Sequence, residues 1–562
     1  MRRLLLILAG FWSLAGIAHP AHDAEPEASL NDAGLGTVSF PTSTRSAAAQ
    51  QEFLRGMLLL HLFEYPAAEA AFIEARTLDP SFAMAYWGEA MTFTHPLWNE
   101  QDVARGQAAL ARLAATNTER AGKAGTPLER GWLVVADLLY GEGDKVERDR
   151  RVLAHLEDMN RRYPKNDEVE LFLSLWLMGV TQGERNVPNY LRAAEIAREV
   201  YGRNPAHPGA THYWIHGMDS PESASGALEA ARVLARISPA AGHGQHMTSH
   251  IFSALGMWDD LVSANERAIA VVNAARAKRG QPPSYCGHYP EWLIYGYYQQ
   301  GRAHDADALL AACNDGRAAM VQWADSHYDP KLGSSRTGEQ VALGLAKSLA
   351  SMRATAVVES PAARGQALAM QIDTKGMNRS AAWAWFPEGY AAADRGDFAT
   401  ADSISQRIAE LTKQPHEPEA GPNEDAYVEI MAQTVAGLSA FRRGDKQSGL
   451  EIVEQAAARY ESLPFDYGPP VPVKPPHELA GELLLQLGQP KEARAYFERA
   501  LRLTPRRTES LQGLAQAAAA AGDEAAARAA YTQLMEIWHS ADAGYAAQSE
   551  AAGWLASHGN TD

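Results

Sequence analysis

Cysteine is scarce. Cys286 and Cys313 are the whole supply in 562 residues, and no Cys-x-x-Cys pair exists for a redox or zinc motif. No Lys/Arg-rich run occurs, and the formal net charge is −17, which argues against a nucleic-acid backbone or an anionic lipid surface as partner. A Gly-rich phosphate loop and a Gly-x-Ser-x-Gly elbow are both missing, which weighs against nucleotide use and serine hydrolysis. Beyond the first residues, no segment reads as long and apolar enough to span a bilayer. What is present is a globular composition, 46% apolar and 21% charged, with length for more than one core.

The first residues, MRRLLLILAGFWSLAGIAHPAH, place two arginines before a short apolar run, with the small residues Gly16 and Ala18 ahead of a cleavage point. That is the pattern of a secretory signal peptide, and no Cys follows it to carry a lipid. The expectation is a signal peptide over 1–18, a mature start near His19, and a periplasmic or secreted location. An oxidising compartment permits Cys286 and Cys313 to pair as a staple across one helical hairpin, with two independent buried thiols as the alternative.

Repetition organises the rest. Gly488 and Gly522, Ala493 and Ala527, and Phe497 and Tyr531 are each 34 apart, within alternating helical periods separated by Gly turns. Small residues stand where two helices approach closely, and the aromatic fills the gap between hairpins. This resembles the tetratricopeptide repeat, a 34-residue helix–turn–helix unit. Gly56, Ala68, Phe72, Ala75 and Pro80 match the same places near the N-terminus, followed by Tyr86 and Ala90, with partial units around Gly396 and Gly444. The resemblance implies an all-α, right-handed solenoid of stacked hairpins, the first helix of each lining the concave side. The expected organisation is an extended arm over 19–45, N-terminal hairpins over 46–164, central His-rich hairpins over 165–320 and degenerate hairpins over 321–462. A Pro-rich linker or long inter-helix loop over 463–476 and a C-terminal repeat pair with a capping helix over 477–562 complete it.

Seven of the 18 histidines fall between His207 and His288. His246 lies 34 residues after His212, and His250 lies 34 after His216, so the repeat period maps one His-x-x-x-His pair onto the other. Pro205 and Pro239, also 34 apart, hold the same register. Both pairs then occupy first helices of consecutive hairpins. Residues four apart on a helix are roughly 5–6 Å apart at Cβ, and neighbouring helices pack about 8–10 Å apart, so four imidazoles can converge. With Gly301 as the next turn, His288, Glu291 and Tyr295 align with His243, His246 and His250, extending a wall that also includes Asp219.

Imidazole is a ligand for Zn, Cu or Fe, and a catalytic site leaves one position open. The expected metal ligands are His212, His216, His246, His250, His243 and His288. Taken singly, each histidine reads more readily as a packing or capping residue than as a ligand: His207 precedes Pro208 and reads as a helix-start residue, and His243 as a helix opener. The leading functional reading is an exported protein that binds a ligand or peptide partner in a concave His-rich groove with a divalent transition metal. The first alternative is a metal-dependent hydrolase or oxidoreductase, with Glu291 or Asp219 handling protons and Tyr295 positioning substrate. The second is a metal-free protein–protein scaffold of the cell envelope. His61 and His95 form a further 34-residue pair, and residues 94–102 read as a loop over the groove. Trp383 and Trp385 alternate, so that one of them faces the groove or both pack in the core.

Overall fold

The computed structural model describes residues 29–181, 185–329, 336–416 and 421–558, and the expected signal peptide lies outside them. Among the described residues are 26 α-helices and two small antiparallel ribbons. The fold is the expected all-α repeat solenoid, and its repeats show why these residues stack. Phe72 fills the space between two first helices because Gly56 and Gly88 face it: a Cβ on either would stand 2.6 or 2.4 Å from the ring. Phe497 is held in the same way between Gly481 and Gly513. The ring therefore sets the hairpin spacing at both ends of the chain.

Of the segment expected as an extended arm, the described residues form a small ribbon. Ser29–Asp32 pairs with Gly36–Ser39, and Phe40 packs within 6.0 Å of Trp87 and 5.8 Å of Trp132. The Trp554 ring of the final helix, Ala546–Ser557, lies 5.0 Å from that of Tyr531 and closes the last repeat.

One expectation needs correction, and one pair of alternatives resolves. Helix Gly338–Glu359 is long and apolar enough to cross a membrane, with mean hydropathy 1.3 over its best window, although the sequence reading found no such segment. Two-thirds of that window is buried against neighbouring helices, and Arg353 within it donates to the Met370 carbonyl, so the apolar character belongs to a core helix. Of the two readings of the Pro-rich stretch 463–476, the long inter-helix loop is the one present, between helices Lys446–Glu461 and Pro476–Gln486. It turns into the hollow of the superhelix, where the Tyr467 ring lies 4.9 Å from His250 and Gly468 abuts the Trp292 indole. Proline excludes helix, but it does not exclude burial.

The hollow is closed from the C-terminal side as well. Trp538 Nε1 donates to the Gln299 carbonyl, Thr508 N donates to Gln299 Oε1, and Trp258 Nε1 donates to the Arg506 carbonyl. Gly256, at φ +64°, makes the turn after helix Gly242–Ala254, and the Pro505 carbonyl sits where a side chain would be. The superhelix thus returns onto its own middle, and the central helices face a packed interior with limited openings.

Candidate metal centre

Three helices carry the histidines: Pro208–Met218, Gly242–Ala254 and His288–Gln299. Proline opens the first, and the His207 ring caps it by accepting the Gly209 N–H through Nδ1, as its position before Pro208 predicted. The Gly242 helix receives its cap from far away in the chain, since Glu64 accepts the His243 N–H at 2.9 Å.

The expected convergence is present, and it divides in two. The donor nitrogens of His212, His216 and His243 lie within 4.8 Å of one another, and so do those of His246, His250 and His288. The two trios adjoin, with the His216 and His250 rings 6.1 Å apart and those of His243 and His246 6.3 Å apart. Within each helical pair the Nε2 atoms face each other, at 3.1 Å for His212 and His216 and 3.2 Å for His246 and His250.

The far side of three rings is fixed. His212 Nδ1 donates to the His61 carbonyl at 2.7 Å. Asn265 gives its Nδ2 to the Leu261 carbonyl, which leaves its Oδ1 to accept the His246 Nδ1–H at 2.7 Å. His250 Nδ1 donates to Asp219 at 2.6 Å, and the Trp292 ring stacks on the same imidazole at 4.4 Å. With both Nδ1 atoms donating, a His246–His250 pair that carries no further proton points bare lone pairs across this gap. Two lone pairs at 3.2 Å repel unless a cation lies between them. Burial pushes His212 down to about 3, despite its bond to the His61 carbonyl, and drives His216 and His246 well below the usual range. Neutral imidazole is the metal-binding form. The Nε2 of His243 is buried and has no hydrogen-bond partner.

The other candidate residues are placed as follows. Asp219 orients His250. Asp219, Tyr295 and His250 line one cavity of about 70 Å3, roofed by the Pro-rich loop. Tyr295 also meets Arg507 Nη1 at 3.3 Å. Glu291 stands apart from the imidazoles, because its carboxyl bonds to Ser348 and Ser351 on helix Gly338–Glu359. The alignment of Glu291 with His246 holds, but that position faces the next hairpin, where serines replace histidines. His61 does not join His95. It donates through Nε2 to Glu168 at 2.8 Å and meets the Tyr213 hydroxyl through Nδ1 at 2.9 Å, while His207 Nε2 takes the other Glu168 oxygen at 3.0 Å. Burial works to raise Glu168, but the two imidazoles hold it down to about 2. Every ring nitrogen there is used, so this trio supports His212 from behind and offers no donor. His95 stacks on Tyr65 at 3.9 Å. Trp383 and Trp385 both pack against an apolar cluster that includes Phe386, Ile404 and Val435, and Trp385 also lies beneath the Arg407 guanidinium, 4.1 Å from its centre.

The loop over the groove is present. Pro96–Trp98 is a single 3-10 turn between two short paired strands, and the Trp98 ring comes 5.9 Å from His243. Trp98, His243, His288 and Tyr289 border an open pocket of about 390 Å3. The expected staple also forms, since Cys286 and Cys313 are disulfide-bonded beside this pocket.

Sequence reasoning missed Asn265, Glu64 and the His61 carbonyl. Asn265 left one trace, a lone polar residue on the buried stripe of Leu261, Ala264 and Ala268. Glu64 and the carbonyl left none, because both come from a hairpin about 150 residues or more earlier in the chain.

Comparison with known proteins concerns the scaffold. The chain shares 11% identity with the APC/C hetero-tetramer Cut9–Hcn1, covering 88% of this chain and 79% of that one with a TM-score of 0.33. With yeast Tom70 it shares 13% identity, covering 91% and 96% with a TM-score of 0.31. Neither likeness bears on the histidines. No curated protein matches the sequence. Residues 476–507 match the tetratricopeptide repeat family model, the segment where Gly481 and Phe497 interlock, so the chain carries a tetratricopeptide repeat there within its all-α repeat solenoid.

Proposed function

We propose that this chain is an exported metal-binding repeat protein, holding a transition metal ion between histidines of successive hairpins and presenting it to a small ligand in the adjoining pocket. A tetratricopeptide scaffold suits protein–protein interaction, but the hollow here is filled by the Pro-rich loop and the C-terminal repeats, which favours a small ligand over an extended peptide. The observation that carries the reading is the His246–His250 pair, with both Nδ1 protons committed and both Nε2 atoms facing across 3.2 Å. Two nitrogens bound tetrahedrally to one zinc-like ion stand roughly 3.3 Å apart. A shared proton would also relieve the repulsion, but it would leave the nearby His288 nitrogen without a role. Export is supported by the N-terminal sequence pattern and by the disulfide.

Elemental analysis of the mature protein recovered from the exported fraction tests this. Zinc, copper or iron is expected to copurify or to bind on titration. A His212→Ala/His246→Ala double variant is expected to lose the metal while keeping its helical circular dichroism. Loss of helix in the double variant would make the histidines structural, and absence of binding by the parent protein would end the proposal.

The enzyme alternative rests on the 390 Å3 pocket, which gives a small molecule access to His243 and His288. Glu291 does not serve it, because its carboxyl is taken by Ser348 and Ser351.

A further inference from the structure

We infer that the centre is dinuclear, with His212, His216 and His243 holding one ion, His246, His250 and His288 holding a second, and one small anion reaching both. This rests on the metal-binding reading above and deepens it.

The two trios are built on one plan. In each, a His-x-x-x-His pair comes from the first helix of a hairpin, and the third histidine stands at the start of the next hairpin's first helix. The repeat that copies a hairpin therefore copies a three-histidine site, and two consecutive copies lie side by side. Neither trio borrows from the other: six histidines give two complete sets of three, and the Nε2 separations of 3.1 and 3.2 Å are alike. Both match two ligands on a single ion rather than opposite sides of a larger cluster. The orphaned, buried Nε2 of His243 lies in the first trio, so that trio also lacks a partner the protein itself does not supply.

The trios share an outlet. His243 belongs to one and His288 to the other, and both line the same pocket. A ligand there would meet both ions, the arrangement that two-metal sites use. Charge indicates what the ligand is. As metal ligands, six imidazoles bring no charge, and the carboxylates tied to this centre are Asp219, on His250, and Glu64, on the His243 N–H. A pair of divalent ions exceeds those two carboxylates by two charges, and a small bridging anion such as hydroxide offsets one of them.

The test is stoichiometry. The whole mature protein is stripped with chelator and titrated with Zn(II) and, separately, Cu(II), with bound metal counted after gel filtration. Two ions per chain are expected. His243→Ala and His288→Ala, both at the pocket rim and outside the helix–helix core, are each expected to keep one ion tightly and to weaken the other at least tenfold. Azide added to the copper-loaded protein is expected to bind at one per two coppers. One ion per chain in the parent protein overturns the dinuclear assignment and leaves metal binding standing. No binding overturns both. Two ions with unchanged affinity in both rim variants overturns the division into trios. Circular dichroism of each variant separates ligand loss from misfolding.

Discussion

At the residue scale, what distinguishes these histidines from core histidines is the fate of their nitrogens. His61 and His207 spend both on protein partners. His212, His246 and His250 spend Nδ1 on a carbonyl, an amide oxygen and a carboxylate, and turn Nε2 inward. A partner behind a metal ligand fixes its tautomer and raises its basicity. Asp219→Asn keeps the shape and an acceptor oxygen but removes the charge behind His250. Metal affinity is expected to fall about 10–100-fold, with helical content and melting temperature close to those of the parent, as competition against a chelator would show. An unchanged affinity would mean that Asp219 serves only to pin the turn after its helix. The His-x-x-x-His pairs were legible in the sequence because the 34-residue period displays them twice. The groups behind them were not legible, because Asn265 reaches across its own hairpin and the His61 carbonyl is contributed from 151 positions away.

At the element scale, each first helix presents the same row of positions to the next hairpin, and the chemistry of the row depends on what it meets. His246 meets His288 and Trp292. One hairpin on, Glu291 meets Ser348 and Ser351, and burial outweighs those hydroxyls to lift its carboxyl from 4.5 to about 7. The folded protein therefore holds a proton on Glu291 that the unfolded chain releases above its ordinary carboxylate range. The native state binds more protons between those two values, so this contact's contribution is full below about pH 4.5 and is lost as pH rises through about 7. Glu291→Gln keeps the hydrogen bonds without the ionisation. It is expected to leave stability near pH 4 almost unchanged and to raise it near pH 8 by up to about 3 kcal/mol. Urea unfolding at the two pH values measures the difference, and equal shifts at both would show that the carboxyl is not perturbed. The repeats themselves were readable at both ends because Phe72 and Phe497 each require a glycine on either side. The Pro-rich stretch was readable as a break in helix but not as a packed loop, because its composition reports that helix is impossible and says nothing about what the backbone packs against.

At the scale of the whole molecule, a repeat array is ordinarily open, since each unit touches only its neighbours. This one is closed by long-range contacts, and Arg507 is at their junction. Its fully buried guanidinium takes Glu478 through two bonds of 2.8 and 3.0 Å, Glu359 at 2.6 Å and the Val473 carbonyl of the Pro-rich loop at 3.3 Å. One cation thus joins the C-terminal repeat, the loop and the central helix Gly338–Glu359, while the neighbouring Lys474 bonds Glu478 and Glu482. Removing one partner of such a cluster strands the others. Arg507→Met leaves two buried carboxylates facing each other and is expected to cost about 3–5 kcal/mol. Pairing it with Glu478→Gln is expected to recover part of the loss, since one of the stranded charges goes with it. Because the loop packs on His250, Arg507→Met is also expected to speed metal release, and small-angle scattering should show a larger radius as the C-terminal repeats swing away. A variant with parental size and release rate would place closure instead on the Trp538–Gln299 and Trp258–Arg506 contacts, and the ring would then be held by shape rather than by charge.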